Sequence, residues 1–292
     1  MLSVVIPALN EEAAIEETVV TIRDTLQGAG IQHEIIVVSD GSTDATAALA
    51  RRHGATVLEH PAPGGYGKSL KDGIARAEYD LIAITDADGT YPNEKLVELF
   101  ELVVGRGFDM AIGARTGSHY RGTFLKMPAR RVFLWLSEYA TGQRIDDINS
   151  GLRVFKKEIA VRYQHTISNG FSFTTTITLA AMLNGYFVKY VPISYFKRKG
   201  RSHVRYWRDT LRALQIIIEN VLFYNPLKLF LLLVNALLVS AVASGGAVFV
   251  VDDSRAQLLL SVIAAACFVG AFVVAAIGLQ AALTRAISKE GE

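Results

Sequence analysis

Two carboxylates two residues apart, Asp86 and Asp88, close a short apolar run, Leu81-Ile82-Ala83-Ile84, and are followed by Gly89 and Pro92. The run has the pattern of a buried parallel strand, and an i, i+2 pair at its end sets two hard oxygen ligands side by side. Gly89 lets the chain turn, Pro92 forbids a continuing strand, and Asn93-Glu94 open an amphipathic helix through Leu96, Leu99, Phe100 and Val103. In open α/β sheets ligands bind beyond the carboxyl ends of the strands, so a site is expected here. An Asp-x-Asp turn also serves purely structural ends, and the rest of the chain has to decide between the two.

Other residues able to do chemistry follow the same rhythm. Asn10, Glu11 and Glu12 come after the apolar run Leu2–Pro7, separated from it by Ala8 and Leu9; Ser39–Asp44 is a polar turn after Glu34–Val38; Arg115 follows Met110–Gly113; Asp146-Asp147-Ile148-Asn149-Ser150-Gly151-Leu152-Arg153 leads into Val154-Phe155. The loop Pro61–Ser69 tempts a phosphate-loop reading, but Ala62 stands where that pattern requires glycine. What remains is a flexible loop offering Lys68, and the start of a helix over Ser69–Ala77, to an anion.

The elements that must position these groups alternate. Asn10–Glu12 open a helix carrying Ile15, Val19, Ile22 and Leu26 on one face; Thr46–His53 is a second helix, Thr56–Leu58 a weaker strand, Pro128–Thr141 and Thr174–Leu183 further helices, and Phe187–Ile193 a late strand. Strand and helix in alternation specify a mainly parallel sheet with crossover helices.

The chain has 292 residues, of which 51% are hydrophobic, and its mean hydropathy of +0.29 is high for a water-soluble protein. The excess is local. Leu229–Val251 holds 23 consecutive uncharged residues, about 34 Å as a helix against a hydrocarbon core of roughly 30 Å. Ala256–Thr284 repeats the pattern, and only Asp252-Asp253-Ser254-Arg255 separates the two. They are expected to form a transmembrane hairpin at about 227–251 and 256–284. Arg205, Arg208 and Arg212 share one face of a helix over Tyr206–Tyr224 whose other face is apolar, a pattern suited to an anionic headgroup surface. Lys197–Arg201 and Lys228 precede the first span, Arg285 and Lys289 follow the second, and the positive-inside rule places both termini in the cytoplasm. Met1–Leu9 lacks the basic start of an export signal. Cys267 is the only cysteine, so neither an internal disulfide nor a cysteine-based zinc site is available. A formal net charge of +2 says little by itself, and no nucleic-acid partner is expected.

Four segments in order, Val4-Val5-Ile6-Pro7-Ala8-Leu9-Asn10-Glu11, Val37-Val38-Ser39-Asp40-Gly41-Ser42-Thr43-Asp44, Asp86-Ala87-Asp88 and Asp147-Ile148-Asn149-Ser150-Gly151-Leu152-Arg153, resemble the family-2 inverting glycosyltransferases of the GT-A fold. With the C-terminal hairpin, the chain is similar to the polyprenyl-phosphate glycosyltransferases, the dolichyl-phosphate mannose synthase-like group. The likeness runs by motif from residue 1 to about 210.

The resemblance implies a cytoplasmic GT-A domain over 1–200, an amphipathic interfacial helix over 201–225 and the hairpin over 226–292, in the inner membrane. It implies that Pro7, Leu9, Glu11 and Asp40 hold the base and ribose of a UDP- or GDP-sugar. Asp86 and Asp88 would hold Mg²⁺ or Mn²⁺ on its diphosphate, and Lys68 would add a point charge. Arg115, Arg131, Lys197, Lys199 and Arg201 match acceptor-phosphate positions, and Asp147 matches a carboxylate that acts as catalytic base or orienter. Three departures stand out: Ser39 where an acidic residue is usual, His203 where lysine is, and Phe173-Thr174-Thr175-Thr176 without its acidic residue. The expected reaction is metal-dependent inverting transfer of a sugar to polyprenyl phosphate at the cytoplasmic face. A phosphate monoester, with a second pKa near 6, needs no strong base. Alternatives are a lipid-hydroxyl acceptor, which must lose a proton, and a non-catalytic nucleotide-sugar-binding membrane protein. A dinucleotide oxidoreductase is excluded because Pro7–Glu12 has no glycine. Self-association is left open.

Overall fold

The computed structural model describes residues 1–117, 127–170, 172–198, 215, 218–219, 222 and 226–290, with side chains described except at 127–133 and 286–290. Two compact units divide it, Met1–Ile217 and Ile218–Glu292.

The first unit is built on seven strands: β1 (Leu2–Ala8), β2 (His33–Ser39), β3 (Thr56–Glu59), β4 (Leu81–Ile84), β5 (Met110–Thr116), β6 (Arg153–Lys156) and β7 (Val188–Ser194). The sheet order is β3-β2-β1-β4-β6-β5-β7. β1, β2, β3 and β4 pair in parallel, as do β5 and β7; β6 alone runs antiparallel, between β4 and β5. The helices are α1 (Ile15–Gly28), α2 (Thr46–Arg52), α3 (Tyr66–Arg76), α4 (Leu96–Val104, after a 3-10 turn at Asn93–Lys95), α5 (Met127–Thr141), α6 (Lys157–Arg162) and α7 (Phe173–Leu183).

Alternation along each strand splits the core into two layers. Leu2, Val4 and Ile6 of β1 join Ile35, Val37, Ala83 and Val154 under Ile15, Val19, Ile22 and Leu26 of α1 and Leu96 and Leu99 of α4. Val5, Ile36, Val38, Ile82, Ile84 and Phe155 face the other way, under Leu70 and Ile74 of α3 and Phe173 and Ile177 of α7. Gly73 is required on α3 because a Cβ there would collide with Val5. α7 tolerates its threonines because their hydroxyls return to the helix's own carbonyls, Thr178 Oγ1 to Thr174 at 2.7 Å and Thr176 Oγ1 to Ser172 at 3.0 Å.

Two helix starts differ from the sequence expectation. α1 begins at Ile15, not at Asn10, because side chains of the next turn claim the backbone first. Asn10 N–H donates to Ser42 Oγ, Glu11 N–H to Thr46 Oγ1 and Glu12 N–H to Asp44 Oδ2. Asn10 takes a left-handed conformation, φ 55°, which Asn tolerates better than most residues. α3 starts at Tyr66, three residues early, after Gly65 at φ 103°. The antiparallel course of β6 is the other feature the alternation did not specify.

In the second unit, α8 (Pro226–Ala247) and α9 (Ser254–Glu290) are the two apolar helices. Both are long and apolar enough to cross a membrane, with mean window hydropathies of 2.1 and 2.7. They pack through close approach at Gly278, where a Cβ would overlap Phe230 at 2.5 Å. The expected amphipathic helix over Tyr206–Tyr224 lies almost wholly outside the described residues.

Candidate active site

The strand order explains why residues far apart in sequence meet. Parallel strands β2, β1 and β4 end at one edge, which sets Asp40, Leu9 to Glu11, and Asp86 to Asp88 in a row. Because β6 is antiparallel, the turn that feeds it, Asp147–Leu152, arrives at this edge too, and β5 and β7 end there with Arg115 and with Tyr195–Arg198. Pairing of β1 with β4 stops at Val5, so Pro7, which has no N–H to give, lies past the end of that ladder.

At the centre Asp86 Oδ1 accepts from Tyr66 Oη at 2.9 Å, while a Cβ on Gly151 would sit 2.9–3.1 Å from the Asp86 carboxylate, so any side chain there would push the carboxylate out of place. Gly151 N–H donates to Tyr91 Oη at 2.7 Å. Asp88 is buried; its Oδ1 accepts from Thr90 N–H at 3.1 Å and Thr90 Oγ1 at 2.6 Å. Glu11 is buried as well, and its Oε2 has no hydrogen-bond partner among the described residues. Arg198 bridges the two acids, through Nη2 to Glu11 Oε1 and Nη1 to Asp88 Oδ2 at 3.4 Å. Burial, then the charge of Asp88, pushes the Asp86 carboxyl above its ordinary range. Burial pushes Glu11 up to about 7 against the pull of Arg198. Three acids share two guanidiniums, Arg115 and Arg198, and Arg115 is already paired with Asp147, so the site is short of positive charge; the Glu11 oxygen without a partner among the described residues marks where it is short. Hard oxygens with excess negative charge suit a divalent ion such as Mg²⁺ or Mn²⁺. Among the described residues no three His, Cys, Asp or Glu side chains converge to hold an ion by themselves, so further ligands would have to come from substrate or water.

Asp147, 2% exposed, is engaged in full. It accepts from Arg115 N–H at 3.1 Å, Arg115 Nε at 2.7 Å, Arg115 Nη2 at 3.0 Å and Asn149 N–H at 3.2 Å. Arg115 also lies over the Tyr195 ring at 5.3 Å, and Tyr195 meets Tyr91 edge-on. Burial works against the charge of Arg115, but Tyr91, Asp147 and Tyr195 outweigh it and raise its pKa above the ordinary arginine value. Under the turn, the fully buried Arg153 donates to the carbonyls of Ser150 and Thr174 and to Thr178 Oγ1.

Asp40 directly follows β2 and meets the loop before α3. Its Oδ1 accepts from His60 Nδ1 at 2.6 Å and Gly64 N–H at 2.8 Å, and its Oδ2 from Gly65 N–H at 2.8 Å, so it shapes the loop before α3. Burial would raise its pKa, but these partners hold it below the usual carboxylate range. His60 Nε2 reaches Asp72 at 2.9 Å, and Lys68 pairs with the same carboxylate at 2.6 Å. Leu9 is half-buried and Lys197 exposed. Arg131 lies on α5 with its side chain outside the described set, and Lys199 and Arg201 fall outside the described residues. Sequence reading missed Tyr66, Tyr91 and Tyr195 as site residues. Arg198 belongs to the basic run Lys197–Arg201 that the resemblance assigns to the acceptor phosphate, and its contacts with Glu11 and Asp88 were not expected; the aromatic pair Tyr195-Phe196 just past β7 was the available sign that this segment packs.

A glycosyl transferase family 2 model matches residues 3–163. The low-salt glycan biosynthesis hexosyltransferase Agl6 of Haloferax volcanii is 32% identical over 85% of this chain, which spans 62% of that relative's length. The dolichyl-phosphate hexose transferase of the same organism is 31% identical over 69% of this chain and 85% of its own. Glucosyl-3-phosphoglycerate synthase from Mycobacterium tuberculosis, solved with Mn²⁺, uridine diphosphate and phosphoglyceric acid, superposes with a TM-score of 0.61 at 22% identity, covering 76% of this chain and 78% of that one. The chain belongs to glycosyl transferase family 2 and is a glycosyltransferase of the GT-A fold.

Proposed function

We propose that this glycosyltransferase moves a sugar, with inversion, from a UDP- or GDP-sugar to polyprenyl phosphate at the cytoplasmic face of the inner membrane. Residues 1–200 form the catalytic domain, 201–225 lie at the interface and 226–292 anchor the chain. The commitment of Asp147 carries the choice of acceptor. A carboxylate whose lone pairs serve four donors, three of them on Arg115, is not placed to take a proton from a hydroxyl. A phosphate acceptor brings an oxygen already ionised near neutral pH, so a site without a base suffices. The relative named a dolichyl-phosphate hexose transferase supports the same acceptor class.

In this reading Asp86 and Asp88 hold Mg²⁺ or Mn²⁺, which when bound stabilises the charge on the departing nucleoside diphosphate. Glu11, Pro7 and Leu9 line the nucleotide side, Asp40 acts through the 61–65 loop, and Lys68 stands at its margin. Asp147 orients Arg115 toward the acceptor phosphate, with Arg131, Lys197, Lys199 and Arg201 as further cations for it. Tyr66 and Gly151 fix the Asp86 carboxylate. The purified chain, incubated with labelled UDP- and GDP-sugars and undecaprenyl phosphate, should form a metal-dependent lipid product. Product with diacylglycerol and none with the phosphate would overturn the acceptor assignment.

A further inference from the structure

We propose that Arg198 is the chain's own counter-cation for the donor site, held on Glu11 and Asp88 in the metal-free protein and driven off Asp88 by an arriving divalent ion. The proposal rests on the reading of Asp86 and Asp88 as the metal-holding pair.

The neighbouring cations are committed elsewhere: Arg115 to Asp147 and Lys68 to Asp72. Among the described residues the cation that meets the buried Glu11 and Asp88 is Arg198, itself only 29% exposed. Its two contacts are unequal. The one to Glu11 is close, whereas the one to Asp88 is a single 3.4 Å approach. Two buried atoms of the ion pair have no partner among the described residues, Glu11 Oε2 and Arg198 Nε. They are complementary. A guanidinium that lets go of Asp88 can lie side-on to Glu11, with Nη2 on Oε1 and Nε on Oε2, the bidentate geometry arginine favours. Leaving Asp88 thus satisfies two orphaned groups at the moment a divalent ion supplies its charge.

The backbone links this exchange to the segment beyond β7. Phe196 N–H donates to the Thr90 carbonyl at 2.9 Å, and Thr90 caps Asp88. Asp88, Thr90, Phe196 and Arg198 thus form a closed ring, so a change at Asp88 is felt in Tyr195–Arg198. Competition of this kind is reciprocal: the ion weakens the Arg198–Asp88 contact by the same factor by which that contact weakens the ion.

The test is Mn²⁺ affinity of the full chain in detergent without nucleotide, read from the electron paramagnetic resonance of free Mn²⁺. Arg198→Gln should bind Mn²⁺ about tenfold tighter than wild type, within the usual range of site-to-site coupling. Arg198→Lys, which keeps the charge, should stay within about threefold. Arg51→Gln, which removes a distant exposed cation paired with Glu59, should match wild type. Unchanged or weaker binding by Arg198→Gln would overturn the proposal, and so would an equal gain in Arg198→Lys or Arg51→Gln. If Arg198→Gln shows no gain while wild type binds Mn²⁺ in the presence of UDP or GDP, only the counter-cation role fails; absence of Mn²⁺ binding in every variant with either nucleotide would overturn the metal reading and this proposal with it.

Discussion

Replacing Asp147 by Asn separates an orienting carboxylate from a proton-taking one. The change keeps the shape and removes one charge from a pair in which Asp147 is 2% and Arg115 15% exposed. Taking one partner from a buried ion pair costs about 3–5 kcal/mol, and because Arg115 keeps some contact with water, about 2–4 kcal/mol is expected here. In a unit the size of Met1–Ile217, each kcal/mol moves Tm by about 2–4 °C, so the unfolding temperature in detergent should fall by about 5–15 °C. The Asp147→Asn/Arg115→Gln double variant should lose less than the sum of the singles by more than about 1 kcal/mol. Transfer to polyprenyl phosphate should drop about 10- to 100-fold, with the shape of its pH profile kept. An unchanged Tm, together with a loss near 10⁴-fold and disappearance of the acid limb of that profile, would refute the reasoning and make Asp147 a general base.

Asp88→Ala should reduce metal-dependent turnover by at least about 10³-fold, with Tm held within a few degrees; a rate near wild type would remove Asp88 from the metal site. Gly151→Ala forces a methyl to within 2.9–3.1 Å of the Asp86 carboxylate, so Mn²⁺ affinity in the presence of UDP should weaken about tenfold, measured by calorimetry. Asp40 has a depressed pKa in the folded state, so its contribution is complete above the unfolded value near 3.9 and is lost as pH falls through the lower folded value. The Tm gap between wild type and Asp40→Asn should therefore be constant above about pH 5 and shrink below about pH 4; a gap that widens on acidification would contradict the assigned contacts.

Much of this molecule was legible in its residues. The alternation of apolar strands with amphipathic helices sets a period that tertiary packing did not override, and both layers of the core follow it. Asp86 and Asp88 at a strand end, and the apolar lengths of α8 and α9, are local properties of consecutive residues, so sequence alone determined them. Only the tertiary structure decided that β6 runs against its neighbours, because strand direction depends on partners far along the chain, and that direction is what brings Asp147–Gly151 to the strand ends. It likewise decided that Asp40 organises a loop through His60, that Asp147 is occupied by Arg115, and that Arg198 reaches Glu11 across 187 positions. A side chain's charge is written in the sequence; which opposite charge it meets is fixed only when the sheet closes the distance between them.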